Sequence, residues 1–245
     1  MVKVTVLMPT YNVAPYVKEA IESVLQQTYR DFELLVIDDC STDNTVAIVR
    51  QINDPRIRVV QNERNLGLAE NLNRGLSLIS TEYVSRMDGD DIAEPQWLER
   101  EVSILDSHPD IGICGGGFER FGSCKSLVRF PEHHEDCLTN MLFECSIIVP
   151  TFRMSLYRDR GLRYRTDAFP AEDYQFWAEC LRIAKAHNIQ ETLFPLPHAS
   201  IANMHSSTTG TGTQGGRGEA LHAGMVEHGF HHGREKLLHW SIHGK

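Results

Sequence analysis

Residues 83–91 carry the residue types best suited to chemistry in this chain. The segment reads Tyr-Val-Ser-Arg-Met-Asp-Gly-Asp-Asp, so a short apolar run leads directly into three carboxylates within four residues. Such carboxylates repel one another, and at the end of a buried strand they are tolerated mainly when water or a cation neutralises them. Gly89 permits a tight turn, which lets the flanking aspartates converge. The segment therefore predicts a site for Mg²⁺ or Mn²⁺, hard cations that usually arrive with a substrate's phosphates.

An acidic surface turn leading into a helix is the alternative interpretation of this segment. In that case Asp91 would be the N-terminal cap of the following helix, a position where aspartate is common. Short acidic motifs also arise often by chance. The rest of the sequence is therefore needed to distinguish a cation site from a surface turn.

Composition narrows the classes of function. The chain of 245 residues has a formal charge of −9, which argues against nucleic-acid binding because that requires a basic surface. Its six scattered cysteines form no Cys-x-x-Cys pair, which is typical of reduced thiols in the cytoplasm. No apolar run reaches the ~18 residues of a membrane span, and the first residues alternate as a strand rather than forming a signal peptide. We expect a cytoplasmic protein, with peripheral contact at the inner face of the membrane as an alternative; oligomeric state is not predicted.

Hydrophobic periodicity predicts alternating strands and helices ahead of the acidic segment. The expected strands are residues 2–8, 32–37 and 57–60, and the expected helices are residues 14–27, a helix ending near residue 52, and residues 68–79. This alternation favours an α/β fold with a mainly parallel, helix-covered sheet. Ligands of such sheets bind beyond the carboxyl ends of the strands, where Tyr11, Asp39, Arg64 and Asp88 all fall.

The second part of the chain is less regular. The expected elements are a helix at 95–107, a strand at 111–121, a helix at 132–145, a strand at 147–156, a helix opened by Pro170 and a strand at 192–196. Three glycines at 115–117 indicate a bulge or a close approach to a ligand. Residues 206–216 are rich in Ser, Thr and Gly and should be flexible. The tail histidines lack a zinc-binding spacing, so we expect solvent and packing roles for them.

Five short motifs, in order, resemble those of family 2 glycosyltransferases, which are inverting enzymes of the GT-A fold. The motifs are Pro-Thr-Tyr-Asn at 9–12, Val-Ile-Asp-Asp-Cys-Ser-Thr-Asp at 36–43, Asn-Leu-Gly at 65–67, Arg-Met-Asp-Gly-Asp-Asp at 86–91 and Ala-Glu-Asp-Tyr at 171–174. The resemblance implies a Rossmann-like, mixed and mainly parallel sheet with helices on both faces. It implies a catalytic domain over residues 1–205, with a nucleotide-binding half at 1–91 and an acceptor-side half at 92–205. A flexible loop and helical tail would follow at 206–245.

The resemblance also implies roles for individual residues. The donor-binding positions are Pro9, Thr10, Tyr11, Asp39, Arg64, Asn65 and Asp88. Tyr11 would stack on the base, and Asp39 would accept a hydrogen bond from a uracil N–H. Asp90 and His205 match the ligands of a Mn²⁺ or Mg²⁺ ion. Asp173 matches the catalytic base, and Glu172 is its expected supporting neighbour.

Several of these residues also have an ordinary structural explanation. Tyr11 could be a packed loop aromatic, and an isolated histidine such as His205 is often a surface or core residue. Glu172 and Asp173 would be first-turn acids of a helix, which the helix dipole favours without any catalysis. These explanations stay open on the sequence alone.

The implied function is metal-dependent, inverting transfer of a sugar from a nucleotide-diphosphate sugar. The donor would be UDP-GlcNAc or a related UDP-hexose, because residues 161–177 are similar to bacterial enzymes that build surface glycans, and the acceptor would be a glycan or a lipid-linked molecule. A nucleotide-sugar-binding module without turnover is the alternative. A nucleotidyltransferase is less favoured, since residues 9–12 have neither the glycine nor the cation of a phosphate loop. Two departures, Val149 for a common histidine and Asn203 for a common arginine, point to a different acceptor or a weakened enzyme.

Overall fold

The computed structural model describes residues 2–120, 126–169 and 171–194. Within these ranges the chain forms one eight-stranded sheet and seven α-helices. The strands are β1 (Val4–Thr10), β2 (Phe32–Asp38), β3 (Ile57–Gln61), β4 (Tyr83–Arg86), β5 (Ile111–Arg120), β6 (Ser126–Val128), β7 (Thr151–Arg153) and β8 (Lys185–Phe194). The helices are α1 (Val17–Leu25), α2 (Thr45–Gln51), α3 (Leu68–Ser77), α4 (Trp97–Ser107), α5 (His134–Asn140), α6 (Ser155–Arg158) and α7 (Glu172–Leu181).

The sheet is mixed and mainly parallel, as the sequence predicts. Its strand order is β3-β2-β1-β4-β7-β5-β6, with β8 on the other edge of β5. Strands β1 to β4 are parallel to one another, and β8 is parallel to β5. Strand β7 lies antiparallel between β4 and β5. The regular parallel part therefore belongs to residues before 91, and the antiparallel insertions belong to residues after it.

Helices cover both faces of this sheet. Alternate residues of β1 point to opposite sides, so Val6 packs with α1 and α4 while Leu7 packs with α3 and α7. Every residue of β1 is buried, which is expected for a strand covered on both faces. Within the described residues, no helix is long and apolar enough to cross a membrane.

Two predicted elements are shorter than the sequence indicates. The helix expected at 132–145 is only α5, because the Ser146 hydroxyl donates to the Cys137 carbonyl oxygen at 3.0 Å and takes over the end of the helix. The strand expected at 147–156 is only β7. Val149 has a φ of 46°, which no strand residue adopts, and Pro150 follows it.

The last described strand starts earlier than predicted. Strand β8 begins at Lys185, seven residues before the expected start, and ends at Phe194. Its first part is polar, but it pairs with β5 at the outer edge of the sheet, where polar residues are tolerated. The bulge expected at 115–117 is confirmed, since the pairing register shifts on both sides of Gly117.

Helix α4 excludes one interpretation of the acidic segment. The helix begins at Trp97, and its N-cap residue is Gln96. Asp91 is therefore not the cap of the following helix, and this alternative was wrong. The loop at 206–216, the tail to residue 245, Asn203 and His205 lie outside the described residues, and the domain boundary at 205 stays a prediction.

Candidate functional site

Three parallel strands bring their following loops to the same edge of the sheet. Thr10 pairs with Asp38 across β1 and β2, and Leu7 pairs with Arg86 across β1 and β4. The Asp39 backbone N–H then donates to the Thr10 carbonyl oxygen at 2.8 Å. The loops after β1, β2 and β4 are thus neighbours, as expected for a ligand site of an α/β sheet.

Asp39 organises the loop that follows β3. Its Oδ1 accepts hydrogen bonds from Asn62 Nδ2 at 2.6 Å and from the Leu66 N–H at 2.8 Å, and its Oδ2 accepts one from the Gly67 N–H at 2.9 Å. Asp39 is only 3% exposed. A carboxylate offers about four acceptor positions, so these three bonds leave one on Oδ2. Asp39 is therefore a fixed, buried anion with room for one further donor.

The loop after β1 is fixed in the same manner. Asn12 lies in the left-handed region with a φ of 54°, and its Oδ1 accepts a hydrogen bond from the Thr42 N–H at 2.8 Å. Asp43 accepts bonds from the Ala14 and Thr45 N–H groups at 3.1 and 2.9 Å. Partial burial alone would raise the pKa of Asp43, but the hydrogen bonds from Thr45 and Ala14 lower it overall. These loops are preorganised by side chains that bind backbone groups.

The acidic segment forms a turn directly after β4. The Asp91 N–H donates to the Asp88 carbonyl oxygen at 3.2 Å. Gly89 packs against the loop after β1, because a Cβ atom there would lie 2.9 Å from Thr10 Cγ2 and 3.2 Å from Val13 Cγ2. Glycine is thus required for this turn to pack against the end of β1 and the loop that follows it.

A buried arginine joins this turn to the distant helix α7. Arg86 donates from Nη2 to Asp88 Oδ1 and from Nη1 to Asp173 Oδ2, both at 2.8 Å. Its side chain is 4% exposed, whereas that of Asp173 is 29% exposed. Burial alone would lower the pKa of Arg86, but the charges of Asp173 and Asp88 raise it overall, so the guanidinium stays charged. The ion pairs bring the predicted base to the acidic turn.

Unsatisfied buried polar groups surround this ion pair. Within the described residues, the Tyr164 hydroxyl, Glu172 Oε2 and Arg86 Nε have no hydrogen-bond partner. Burial, and then the charge of Asp173, raises the pKa of Tyr164, and burial raises the pKa of Glu172. The charges of Asp173, Arg86 and Asp88 act on both groups, which places them around one spot. Such atoms are costly unless water or a ligand completes their bonds.

A cluster of aromatic rings packs beside the Arg86–Asp173 ion pair. The Tyr164 and Phe176 rings stack with centroids 4.0 Å apart, and Phe176 packs edge-on against Trp177 at 4.8 Å. Phe152 of β7 contacts both rings of α7. Helix α7 opens with Glu172 and Asp173 in its first turn, as the sequence predicts. The aromatic cluster therefore fixes the helix start that carries both acids.

The remaining predicted donor-binding residues differ in exposure. Pro9 and Thr10 are buried, and Thr10 Oγ1 donates to Asp38 Oδ1 at 3.2 Å. Tyr11 is half-buried, whereas Arg64 and Asn65 are exposed on the loop that Asp39 holds. Asn65 Oδ1 accepts a bond from the Gly67 N–H at 3.2 Å. Pro9 and Thr10 end β1, the other three residues lie in the loops that meet at this edge, and the contacts of all five with a donor stay predictions.

Sequence comparison assigns this arrangement of loops and acids to a family. The family model described as "Glycosyl transferase family 2" matches residues 5–171. The chain belongs to this family. The fold and family expected from the five motifs are therefore confirmed.

Two relatives illustrate the range of this glycosyltransferase family. An uncharacterized glycosyltransferase of Haemophilus influenzae is 36% identical over 205 residues, which cover 78% of this chain and 64% of that protein. The Escherichia coli UDP-Glc:alpha-D-GlcNAc-diphosphoundecaprenol beta-1,3-glucosyltransferase WfgD is 32% identical over 189 residues, covering 76% of this chain and 71% of WfgD. The chain thus spans less than two thirds of the Haemophilus influenzae protein.

A solved structure shares the fold of this family 2 chain. Staphylococcus aureus TarS, residues 1–349, in complex with UDP-GlcNAc superposes with a TM-score of 0.69 at 23% identity. The match covers 79% of this chain and 58% of the TarS chain. At this identity the similarity establishes the fold alone.

The acidic turn fits a divalent cation, the group that the family implies. Asp88, Asp90 and Asp91 place three carboxylates on one turn, and hard oxygen donors are the ligands that Mg²⁺ and Mn²⁺ prefer. Asp88 is ion-paired with Arg86, and Asp90 and Asp91 are each more exposed than Asp88. The donor set is therefore suitable. His205, the second predicted ligand, stays a prediction.

Sequence reasoning missed the role of Arg86 and the backbone conformation of Val149. Arg86 was quoted within a motif but given no role; its signal was a charged residue inside an otherwise buried strand, two positions before Asp88. Val149, which replaces a common histidine, is buried in the core with the strained φ of 46°. The next residue, Pro150, accepts a bond from the Arg86 N–H at 3.1 Å, so this substituted position adjoins the strand that carries Arg86.

Proposed function

We propose that this chain is an inverting glycosyltransferase that moves a sugar from a UDP-sugar, UDP-GlcNAc or a related UDP-hexose, to a glycan or lipid-linked acceptor of the cell surface. The observation that carries the proposal is the Arg86 bridge between Asp88 and Asp173. It places a partly exposed carboxylate beside the acidic turn, at the strand ends where this fold binds ligands. The named substrates of WfgD and the ligand of TarS support a UDP-sugar, and WfgD supports a lipid-linked acceptor.

The donor's nucleotide would occupy the preorganised loops. Asp39 would accept the uracil N–H at its remaining Oδ2 position, and Tyr11 would lie against the base. Asp88 would face the ribose. A buried anion already held by three donors cannot rearrange easily, so this side should recognise one base without reshaping.

The acceptor hydroxyl would be deprotonated by Asp173. The acceptor oxygen forms a bond to the anomeric carbon from the face opposite the diphosphate, and its proton passes to an oxygen of Asp173. The bond between the anomeric carbon and the phosphate oxygen breaks, and its electron pair leaves with UDP. Attack from the opposite face inverts the anomeric configuration.

The other residues near Asp173 would position its carboxylate and support the bound sugar. The charge of Arg86 favours the ionised, proton-accepting form of Asp173 and fixes the carboxylate. The unsatisfied Tyr164 hydroxyl and Glu172 Oε2 offer hydrogen bonds to sugar hydroxyls. A divalent cation at Asp90, when bound, would stabilise the charge that develops on the departing diphosphate.

A panel of nucleotide sugars tests this function. The chain is incubated with UDP-Glc, UDP-GlcNAc and GDP-Man, each with Mn²⁺, with Mg²⁺ or with EDTA, and both nucleoside-diphosphate release and thermal stability are measured. We expect a UDP-sugar to raise the melting temperature and release UDP only with a divalent cation. Stabilisation without release under every condition would favour the binding module, and preference for GDP-Man would contradict the UDP assignment.

A further inference from the structure

A second group of potential metal ligands lies at the outer edge of the sheet. Glu132, His133 and His187 each offer one ligand atom, and these atoms all lie within 4.8 Å of one another. His133 and His187 face each other across an antiparallel β-bridge, with ring centroids 6.3 Å apart. Directly opposed residues in such a bridge have adjacent side chains on the same face. The two imidazoles are therefore neighbours by construction of the fold.

The backbone that carries these side chains is held in place independently of them. The Asn188 N–H donates to the Glu132 carbonyl oxygen at 3.0 Å, and Asn188 Nδ2 donates to the Pro131 carbonyl oxygen at 2.8 Å. The Ala186 N–H contacts His134 Nδ1 at 3.4 Å, so His134 already has a structural partner. The two segments thus form a preorganised frame, which reduces the cost of binding a ligand between them.

The side chains of Glu132, His133 and His187 are not engaged in other polar contacts within the described part of the chain. There, none of them makes a hydrogen bond or an ion pair with a described residue. Their donor atoms are therefore open to a ligand.

We propose that Glu132, His133 and His187 form a binding site for Zn²⁺, separate from the donor site. Two imidazoles and one carboxylate are a zinc ligand set, whereas Mg²⁺ prefers oxygen ligands alone. A tetrahedral site with bonds of about 2.0–2.1 Å needs ligand atoms about 3.4 Å apart. Rotation of the exposed His133 side chain can close this gap, and the fourth position is left for water or an added ligand.

The site would fasten the segment before α5 to the edge strand β8. Strands β7 and β5 separate β8 from β4, so this metal would not contact the acidic turn that follows β4. Glu135 and Asp136 in the first turn of α5 would add negative charge near the cation. The expected effects are therefore on stability and on zinc stoichiometry, without a direct role in sugar transfer.

Metal titration of the full chain tests the proposal. The metal-free protein is titrated with ZnCl₂ by calorimetry and with CoCl₂ by visible absorption, which reports four-coordinate geometry. Because histidines elsewhere in the chain also bind metal, the result is a difference between variants. His187→Ala and His133→Asn should each lose one zinc equivalent, or bind it at least about tenfold more weakly, and lose the cobalt absorption. Asn at 133 retains good helix-capping chemistry, so that variant should fold.

His108→Ala is the matched control, since His108 is another exposed histidine outside the ligand group. It should bind zinc and cobalt as the unaltered chain does. Zinc stoichiometry and affinity that are the same in His187→Ala, His133→Asn and the unaltered chain would overturn the proposal. Loss of the site in His108→Ala alone would overturn it as well, because the metal would then lie elsewhere.

Discussion

The two halves of the site are held together by different interactions, hydrogen bonds in one and aromatic packing in the other. In the proposed donor half, residues 2–91, polar side chains such as Asn12, Asp39 and Asp43 bind the backbone of neighbouring loops. In the acceptor half, residues 92–194, the site rests on packed aromatic rings, and buried polar atoms of Tyr164 and Glu172 have no described partner. The loops of the donor half thus hold one another through hydrogen bonds, whereas the acceptor half has buried polar atoms of Tyr164 and Glu172 without a described partner.

This difference is consistent with the proposed division of labour, in which one half binds the nucleotide and the other carries out sugar transfer. A hydrogen-bonded loop frame suits recognition of a constant chemical group, such as a nucleotide. An aromatic base with unsatisfied polar atoms suits hydroxyl-rich sugars, whose identity changes between enzymes. Arg86 connects the two, because it is on β4 of the donor half and bonds Asp173 of the acceptor half.

The largest expected effect belongs to Asp173→Asn. The amide keeps the shape of the side chain but cannot accept the acceptor's proton, so kcat should fall by roughly 10²–10⁴-fold. Steady-state UDP release with a saturating UDP-sugar measures it. Glu172→Gln is the matched variant and should lose much less. A near-normal kcat for Asp173→Asn beside an inactive Glu172→Gln would move the base to Glu172.

Removal of the link between the halves should destabilise the fold. Arg86→Met leaves two carboxylates without their buried cation, and the free energy of unfolding should fall by about 3–5 kcal/mol. Urea unfolding provides the value. Arg165→Met is the control, because the Arg165 and Asp167 pair is exposed and its loss should leave stability near that of the unaltered chain. Equal stability of the two variants would show that Arg86 does not hold the halves together.

Asp39→Ala should weaken the donor half selectively. It removes three hydrogen bonds of the loop and the proposed uracil acceptor, so UDP affinity should fall by about 1–3 kcal/mol, roughly 5- to 150-fold. Calorimetry with UDP at a temperature well below unfolding measures the change. Glu63→Ala, an exposed acid on the same loop, serves as the control. An unchanged affinity in Asp39→Ala would remove Asp39 from base recognition.

The smallest expected effect comes from replacing a glycine with positive φ in each half. Gly67 has φ 82° and ψ 159°, a region open almost only to glycine, and a Cβ there meets no atom within 4 Å. Gly67→Ala should cost about 1 kcal/mol of UDP affinity by moving the N–H that binds Asp39. Gly161→Ala, at φ 69° in the acceptor half, should destabilise the fold without changing UDP affinity. Equal UDP affinities in both variants would contradict the special role of the loop.

The donor half was predictable because its signals are local. Buried strands alternate with amphipathic helices there, and the chemistry follows the strand ends directly. The acceptor half was predictable only in part: α4, β5 and the start of α7 are found where the sequence predicts them, whereas α5, β7 and β8 differ because their limits depend on neighbours distant in sequence. Strand β8 is polar at its start and becomes a strand only beside β5. Arg86 and Asp173 are 87 residues apart, and no sequence period reports that contact.

In the proposed mechanism the donor half binds UDP without Asp173, and Asp173 acts only in sugar transfer. UDP affinity of Asp173→Asn, measured by calorimetry in the presence of Mn²⁺, tests this most directly. The division of labour predicts an affinity within about twofold of the unaltered chain, a change below about 0.5 kcal/mol. A loss as large as that expected for Asp39→Ala would place Asp173 in donor binding and contradict the claim.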